Sequence, residues 1–228
     1  MTLDIPASDL VSLAWFVALW IGYTWYADRQ ARRVYSLRSV MHDYREKWMQ
    51  QMLLRDNRVV DVNIMRNLLQ SVAFFASATL LILAGLLTVL GSTDKAIEIV
   101  RALPFALKTT LVQWELKLLV LCMIFVYAFF KFTWALRQFN YCSVLIGAAP
   151  KGPDGAFARR IAVVATHASK DFNQGLRAYY FSLAALAWFV SPWLFMPAAA
   201  GVVVVLYVRE YKSSALRTLG SADTEHGA

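Results

Sequence analysis

Apolar residues are concentrated in four long runs, and the segments between the runs carry most of the charge. A bilayer core of about 30 Å is crossed by roughly 20 residues of α-helix. Each run is long enough for at least one crossing. The sequence therefore predicts an all-α integral membrane protein with four transmembrane helices, over about residues 10–27, 68–91, 114–135 and 180–208.

The last apolar run is interrupted by two prolines. It extends over residues 178–208, which are 31 residues without a charge, and it contains Pro192 and Pro197. One crossing needs about ten residues fewer, and two full crossings of about 20 each need more. We interpret the run as one spanning helix kinked at the prolines. The alternative is a re-entrant hairpin, which would return the C-terminus to the cytoplasm.

The connector between the first two spans, residues 28–66, is polar and contains neither glycine nor proline, so nothing local ends a helix there. Apolar residues recur at spacings of three and four, and this predicts a long basic amphipathic helix with Val34, Leu37, Met41, Tyr44, Trp48 and Met52 on one face. Such a helix binds anionic lipid or a partner helix, or forms a stalk that packs on the protein's own loops. The residues expected to contact lipid or a partner are Arg29, Arg32, Arg33, Arg38 and Trp48.

Small and weakly polar residues form one stripe along the second span, at near-heptad spacing. In lipid, such residues let helices approach closely and form hydrogen bonds across the contact. We therefore predict helix packing along this stripe, with a polar solute path as the alternative. The stripe consists of Gln70, Ala73, Ser77, Ala84 and Thr88.

Three charged residues, Glu115, Lys117 and Lys131, are associated with the third span. They lie within about a turn of its ends. The two lysines are therefore expected to extend their ammonium groups to opposite membrane interfaces. An ion or proton site is the alternative, because charges at membrane depth often mark function.

No constellation of catalytic or metal-binding residues is apparent. His167 and Asp171 lie one turn apart in the second connector, residues 136–177, but they lack the nucleophile and the third group of a catalytic set. Phosphate-binding loops, dinucleotide fingerprints and zinc-ligand spacings are absent from the sequence. We expect no catalytic residue, no cofactor, no metal and no enzymatic activity. The small, polar tail over 220–228 is predicted to be disordered.

Composition supports the membrane class, because 59% of the residues are hydrophobic and only 17% are charged, compared with about 25% charged in soluble domains. The net charge of +8 is explained by cytoplasmic connectors that face anionic lipid, and we expect no nucleic-acid partner because no recognition module accompanies it. Cys122 and Cys142 are too far apart along a continuing helix to form a disulfide.

Lysine and arginine are unevenly distributed among the connectors. With four spans, fifteen fall on the side of the two long connectors and six on the other side. The positive-inside rule then places both connectors in the cytoplasm and both termini on the non-cytoplasmic side. Arg209, Lys212 and Arg217 count against this, since their density after the last run is typical of a cytoplasmic flank.

Three stretches carry a resemblance to a known family: RQARRVYSLRSVMHDYREKWMQQMLLRDNRVVDVNI, FTWALRQFNYCSVLIGAAP and FNQGLRAYYFSLAALAWFVSPWLFM. They resemble a bacterial membrane-protein family known as domain of unknown function 599. The resemblance covers about residues 10–212, which leaves a single helical domain over 1–219. It implies a multi-pass protein of the bacterial cytoplasmic (inner) membrane, and it implies no activity and no catalytic residue.

The leading hypothesis is a non-catalytic membrane protein that acts by packing, as a self-associating bundle or as an accessory or scaffold subunit of a membrane complex. The runner-up is a small oligomeric channel or transporter, since discontinuous helices often form binding sites at the membrane midplane. A third hypothesis is sensing of anionic lipid by residues 28–66. The expected partners are the lipid bilayer and a second copy of the chain or another membrane protein.

Overall fold

The computed structural model of the chain describes residues 6–30, 36–93 and 110–225. These residues form helices without a β-strand, in agreement with the predicted all-α class. The helices, numbered in chain order, are α1 (Ala7–Gln30), α2 (Leu37–Leu54), α3 (Val59–Leu90), α4 (Leu111–Gly147), α5 (Gly155–Ala187), α6 (Pro192–Tyr211) and α7 (Ser214–Glu225).

Ion pairs mark the two ends of the bundle. At one end, Asp9 of α1 pairs with Lys117 of α4 at 3.1 Å. At the other end, Arg38 of α2 lies 2.8 Å from Asp28 of α1 and 3.7 Å from Glu210 of α6. We call these the Asp9 end and the Asp28 end. Helices α1, α4 and α6 run from the Asp9 end to the Asp28 end, and α3 and α5 run in the opposite direction.

The core is centred on α4 and α5, which share the most extensive contact of any two helices described. Gly175 of α5 lies directly against the ring of Phe132 of α4, so that a β-carbon at Gly175 would be 2.5 Å from the ring. Small residues on the buried side of α5 allow the same close approach further along the helix. They are Ala158, Ala162, Ala165, Ala168 and Ala178.

Four helices are long and apolar enough to cross a membrane, which confirms the predicted number. They are Ala7–Gln30, Val59–Leu90, Leu111–Gly147 and Pro192–Leu219, the last of which combines α6 with the start of α7. The first three lie where spans were predicted, and the fourth overlaps the predicted span 180–208 only from residue 192 onward. This is the architecture of a multi-pass membrane protein.

The interpretation of the last apolar run as one kinked helix is wrong. Helix α5 ends at Ala187 and α6 begins at Pro192, so two antiparallel helices share the run. Pro192 lies in the first turn of α6, where a missing N–H is tolerated, and Ser191 caps that turn. Pro197 lies inside α6. Because the chain turns back here, α6 ends at the Asp28 end, whereas α1 begins at the Asp9 end. The side of the membrane on which each terminus lies stays a prediction.

The connector 28–66 also differs from its prediction, because it is not one long helix. Ser36 and Ser39 form a capping box at which a new helix, α2, begins. Residues 55–58 separate α2 from α3. Residues 31–35, including Val34 of the predicted apolar face, lie outside the described residues. The buried positions of α2 are Val40, Met49, Met52 and Leu53, of which only Met52 belongs to the predicted face.

The tail predicted to be disordered is helical in part. Helix α7 continues to Glu225, whereas residues 226–228 lie outside the described part of the chain. The sequence-based prediction relied on small, polar composition alone. It did not take into account that a helix beginning at Ser214 could continue through these residues.

Candidate functional site

A charged network at the Asp28 end joins α1, α2 and α5. The Asp28 carboxylate pairs with Arg38 at 2.8 Å and with Lys170 at 3.0 Å. Arg177 lies 3.6 Å from the same carboxylate, and the Gln174 side-chain amide donates a hydrogen bond to it at 3.0 Å. Three cations therefore share one carboxylate, so the network has an excess of positive charge.

A cleft of about 180 Å³ opens beside this network, between α2, α5 and α6. We call it the cationic cleft, because five cationic side chains line it: Arg38, Arg45, Lys170, Arg177 and Arg209. Glu210 is the one carboxylate in its described lining. Even when Asp28 behind the cleft is counted, the cations outnumber the carboxylates by three. Thr166, Ser169 and Tyr180 add hydroxyl groups to the lining.

Some of the guanidinium donors in the cationic cleft have no hydrogen-bond partner among the described residues. These donors are Nε and Nη2 of Arg38 and Nη1 of Arg177. Arg38 Nε lies 3.7 Å from Glu210 and Arg177 Nη1 lies 3.6 Å from Asp28, which are ion-pair distances too long for a hydrogen bond. Arg177 is only 4% exposed. A buried polar group without a partner costs about 1–3 kcal/mol, and a charged one costs more. The cleft therefore contains buried donors that an acceptor group could satisfy.

Arg45 adds a half-buried cation to the same cleft. It forms no ion pair within the described part of the chain. Burial, and after it the neighbouring Arg38 charge, lowers the pKa of Arg45 from its ordinary value. That ordinary value lies far above neutral, so Arg45 remains cationic at physiological pH.

A larger cavity, of about 640 Å³, adjoins the cationic cleft and shares Arg38, Thr166 and Lys170 with it. Two histidines line this cavity. His42 Nδ1 and Thr166 Oγ1 are 2.9 Å apart, and His167 lies one residue further along α5. The cavity thus brings two imidazole groups near the cations, and the hydroxyl group next to His42 Nδ1 is that of Thr166.

The structure does not bring together the candidate pair of His167 and Asp171. The Asp171 carboxylate pairs instead with Lys131 of α4 at 2.9 Å, and it accepts a hydrogen bond from the Gln138 side-chain amide at 2.7 Å. Both carboxylate oxygens are therefore bonded to α4. Lys131, which was expected to extend to an interface, is held in this pair.

Lys117 also differs from its prediction, because it is buried and paired. It is 4% exposed, lies 3.1 Å from Asp9 and donates a hydrogen bond to the Trp188 carbonyl at 3.0 Å. The Trp188 indole N–H donates to Asp9 at 2.6 Å. These three residues, which we call the Asp9 junction, connect α1 and α4 to the residues between α5 and α6. The sequence-based prediction failed because Asp9 of α1 and Trp188 after α5 lie against the Lys117 ammonium group and bury it.

Of the basic residues expected to contact lipid or a partner, Arg29 is exposed at the end of α1. Its guanidinium lies 5.1 Å from the centre of the Trp25 ring. Arg32 and Arg33 lie outside the described residues. Arg38 points into the protein, toward Asp28. Contact of these residues with lipid or a partner stays a prediction.

Trp48 has an internal partner. Its indole N–H donates a hydrogen bond at 2.7 Å to Asp61, which is fully buried at the start of α3. Arg55 pairs with the same carboxylate at 2.7 Å. Trp48 thus helps to hold α2 against α3, so its side chain is not free to project from the protein.

Most of the stripe predicted for helix packing faces outward within one chain. Gln70, Ser77, Ala84 and Thr88 are exposed and Ala73 is half-buried, whereas Asp61, Met65, Val72 and Thr79 form the buried side. On the opposite side of α3, ten residues follow one another at spacings that alternate between three and four, and all ten are exposed. We call these residues the α3 seam: Val60, Asn63, Asn67, Gln70, Phe74, Ser77, Leu81, Ala84, Thr88 and Gly91.

Sequence reasoning missed the convergence of Asp28, Lys170 and Arg177. A signal was present, since Asp28 directly follows one apolar run and Arg177 directly precedes another. Two antiparallel membrane helices place such flanking charges at the same depth. The partner could be found only by recognising that α5 is antiparallel to α1.

No group of three or more His, Cys, Asp or Glu side chains in the described ranges is placed to hold a metal ion. Cys122 and Cys142 are both free and buried. The described residues place buried cations at the Asp28 end and a buried ion pair at the Asp9 end.

Long apolar helices with charged networks at their ends define the chain as an all-helical, multi-pass membrane protein. It belongs to the family described as "Protein of unknown function, DUF599", whose profile matches residues 11–215. The resemblance seen in the sequence is thereby confirmed. No curated protein and no solved structure matches the chain.

Proposed function

We propose that this chain is a non-catalytic membrane protein that acts by helix packing, and that a second copy of the chain binds along the α3 seam. The observation that carries the proposal is the exposure of all ten seam positions, on the side of α3 opposite its contact with α4. Alternating spacings of three and four residues are the pattern of a helix that packs along another helix.

The chemistry of the α3 seam favours another copy of the same chain. Gln70, Ser77 and Thr88 carry polar groups in the apolar part of α3, where lipid tails offer no hydrogen bonds. A glutamine side chain both donates and accepts, so two copies of Gln70 can satisfy each other across a two-fold axis. Ser77, Ala84 and Gly91 recur every seven residues and allow the two helices to approach closely.

Cysteine cross-linking in native membranes tests this interface. Oxidation of Ser77→Cys or Ala84→Cys is expected to give covalent dimers, because residues near a helix contact bring their α-carbons within about 7 Å. Leu87→Cys is the matched control, since Leu87 is exposed but lies off the seam. The wild type serves as the blank, because both native cysteines are buried. Equal cross-linking at Ala84 and Leu87 would count against the seam, and cross-links to another protein would favour an accessory subunit.

We further propose that α5 forms a fifth crossing, because Arg177 within it pairs with Asp28 at one end of α1 and Trp188 just after it bonds to Asp9 at the other end. We also propose that the Asp28 end faces the cytoplasm. Segments 28–66, 136–177 and 209–228, which lie toward that end, contain eighteen Lys and Arg, compared with three in the connection 91–113. The positive-inside rule then supports a non-cytoplasmic N-terminus and a cytoplasmic C-terminus.

Reporter fusions at the C-terminus test this orientation. A green fluorescent protein fused after residue 228 is expected to fluoresce, and alkaline phosphatase at the same position is expected to be inactive, because each folds on one side of the membrane only. Fusions at the N-terminus should give the reverse. An active C-terminal phosphatase would contradict the fifth crossing and would support four crossings with both termini on the non-cytoplasmic side.

A further inference from the structure

The cationic cleft combines an excess of positive charge with buried guanidinium groups whose hydrogen-bonding capacity is only partly used. Arg38 comes from α2, Arg177 and Lys170 come from α5, and Arg209 comes from α6. Cationic side chains from three helices therefore line the same cleft. Asp28 and Glu210 occupy only part of this hydrogen-bonding capacity, because Arg38 Nη2 and Arg177 Nη1 remain without a hydrogen bond in the described structure. A network that served only to hold helices together would leave fewer donors unused.

We propose that the cationic cleft binds a phosphate group, as a phosphomonoester or phosphodiester. Guanidinium groups present planar, paired donors that match the geometry of phosphate oxygens. A phosphate has enough acceptors to bond Arg38 and Arg177 together. The two carboxylates already present approach Arg38 Nε and Arg177 Nη1 only to 3.7 and 3.6 Å, and they leave Arg38 Nη2 unused. Ser169 and Tyr180 supply neutral hydroxyl donors at the same wall.

The surroundings of the cleft allow the phosphate to come from a lipid headgroup or from a soluble ester. Tyr23 lines both the cleft and an apolar groove between α1 and α6, which could hold an acyl chain. Tyr26 and Tyr207 line that groove and are exposed at the same level, as aromatic residues are at a membrane interface. The shared chemistry is the phosphate group, and the two sources are separated by experiment.

The first arm of the test uses inorganic phosphate and the full-length protein in detergent. Phosphate is expected to raise the melting temperature saturably above that in chloride of equal ionic strength. Arg45→Gln and Arg177→Gln should weaken the apparent affinity for phosphate at least about tenfold, because each removes a hydrogen bond to a charged group. Arg159→Gln removes one charge from α5 outside the cleft and should change the affinity by less than about twofold.

The second arm uses native mass spectrometry after purification from mixed phosphatidylcholine and phosphatidylglycerol. If the source is a lipid, the wild type and Arg159→Gln retain phosphatidylglycerol, and Arg45→Gln loses it. Arg45 makes no ion pair within the described residues, so its variant is expected to fold even if Arg177→Gln does not. Binding of inorganic phosphate or of phosphatidylglycerol supports the site if it depends on Arg45. The probe that binds then identifies the source of the phosphate group. The proposal is overturned if neither probe binds, or if Arg45→Gln and Arg159→Gln behave alike.

Discussion

Replacing Lys117 with methionine is expected to lower the free energy of unfolding by about 3–5 kcal/mol, because the Asp9 carboxylate would remain buried without its cation. The Asp9 junction joins the first turn of α1 and the second turn of α4 to the residues between α5 and α6. In a chain of this size, the loss corresponds to a melting temperature lower by roughly 6–20 °C. Thermal unfolding in mild detergent measures it.

The same change at an exposed ion pair provides the control. Lys151 pairs with Asp56 at 3.2 Å, but the two side chains are 80% and 93% exposed. Lys151→Met should therefore cost less than about 1 kcal/mol. The double variant Asp9→Asn, Lys117→Met should regain much of the lost stability, because no unpaired charge remains. Equal effects of Lys117→Met and Lys151→Met would show that Lys117 reaches water after all.

Gly175→Ala is expected to have the second large effect, because Gly175 of α5 lies directly against the Phe132 ring of α4. A β-carbon there would lie 2.5 Å from one carbon of the Phe132 ring and 2.8 Å from two others. Phe132 is fully buried, so the ring cannot move into open space. Overpacking of this kind costs about 1–3 kcal/mol.

A double-mutant cycle separates this clash from a general effect of alanine. Gly22→Ala places the same methyl group in the middle of α1, where no atom lies within 4 Å, and should be nearly neutral. Phe132→Leu in the Gly175→Ala background should restore part of the stability, because the smaller side chain leaves room for the methyl group. If the two substitutions were simply additive, the helices would not be in contact there.

The apolar runs predicted the membrane helices because the requirements for a membrane-spanning helix are met within one continuous stretch of sequence. A segment in lipid must satisfy its own backbone hydrogen bonds and must be about 20 residues long, and both conditions are visible in the sequence. Helix α5 was not predicted as one continuous helix, because its first half is polar and its second half is apolar. The charge at Arg177 looked like the end of a connector, whereas it lies inside one helix of 33 residues.

The charged network could not be predicted for a different reason. Asp28 and Arg177 are separated by nearly 150 residues, and their contact depends on the direction of α5 relative to α1. Lys117 and Lys131 were expected to reach water because their partners, Asp9 and Asp171, come from other helices. Sequence periodicity gives the faces of a helix but does not say which face meets a partner.

The Asp9 junction also bears on the transport hypothesis. A solute path through the broken run would need polar groups that are free to bind a solute. At the break, Lys117, Asp9 and Trp188 bond to one another. The geometry therefore favours a fixed connection between α5 and α6, which is the arrangement a packing protein requires.

Native mass spectrometry of the full-length protein, released from mild detergent, tests self-association most directly. The account predicts a dimer or a higher multiple of the chain mass. Ala84→Phe should reduce it to the monomer by blocking the close approach of two α3 helices, whereas Leu87→Phe, off the seam, should leave it unchanged. A wild-type protein that is monomeric, or that is found only with a different protein, would contradict the account.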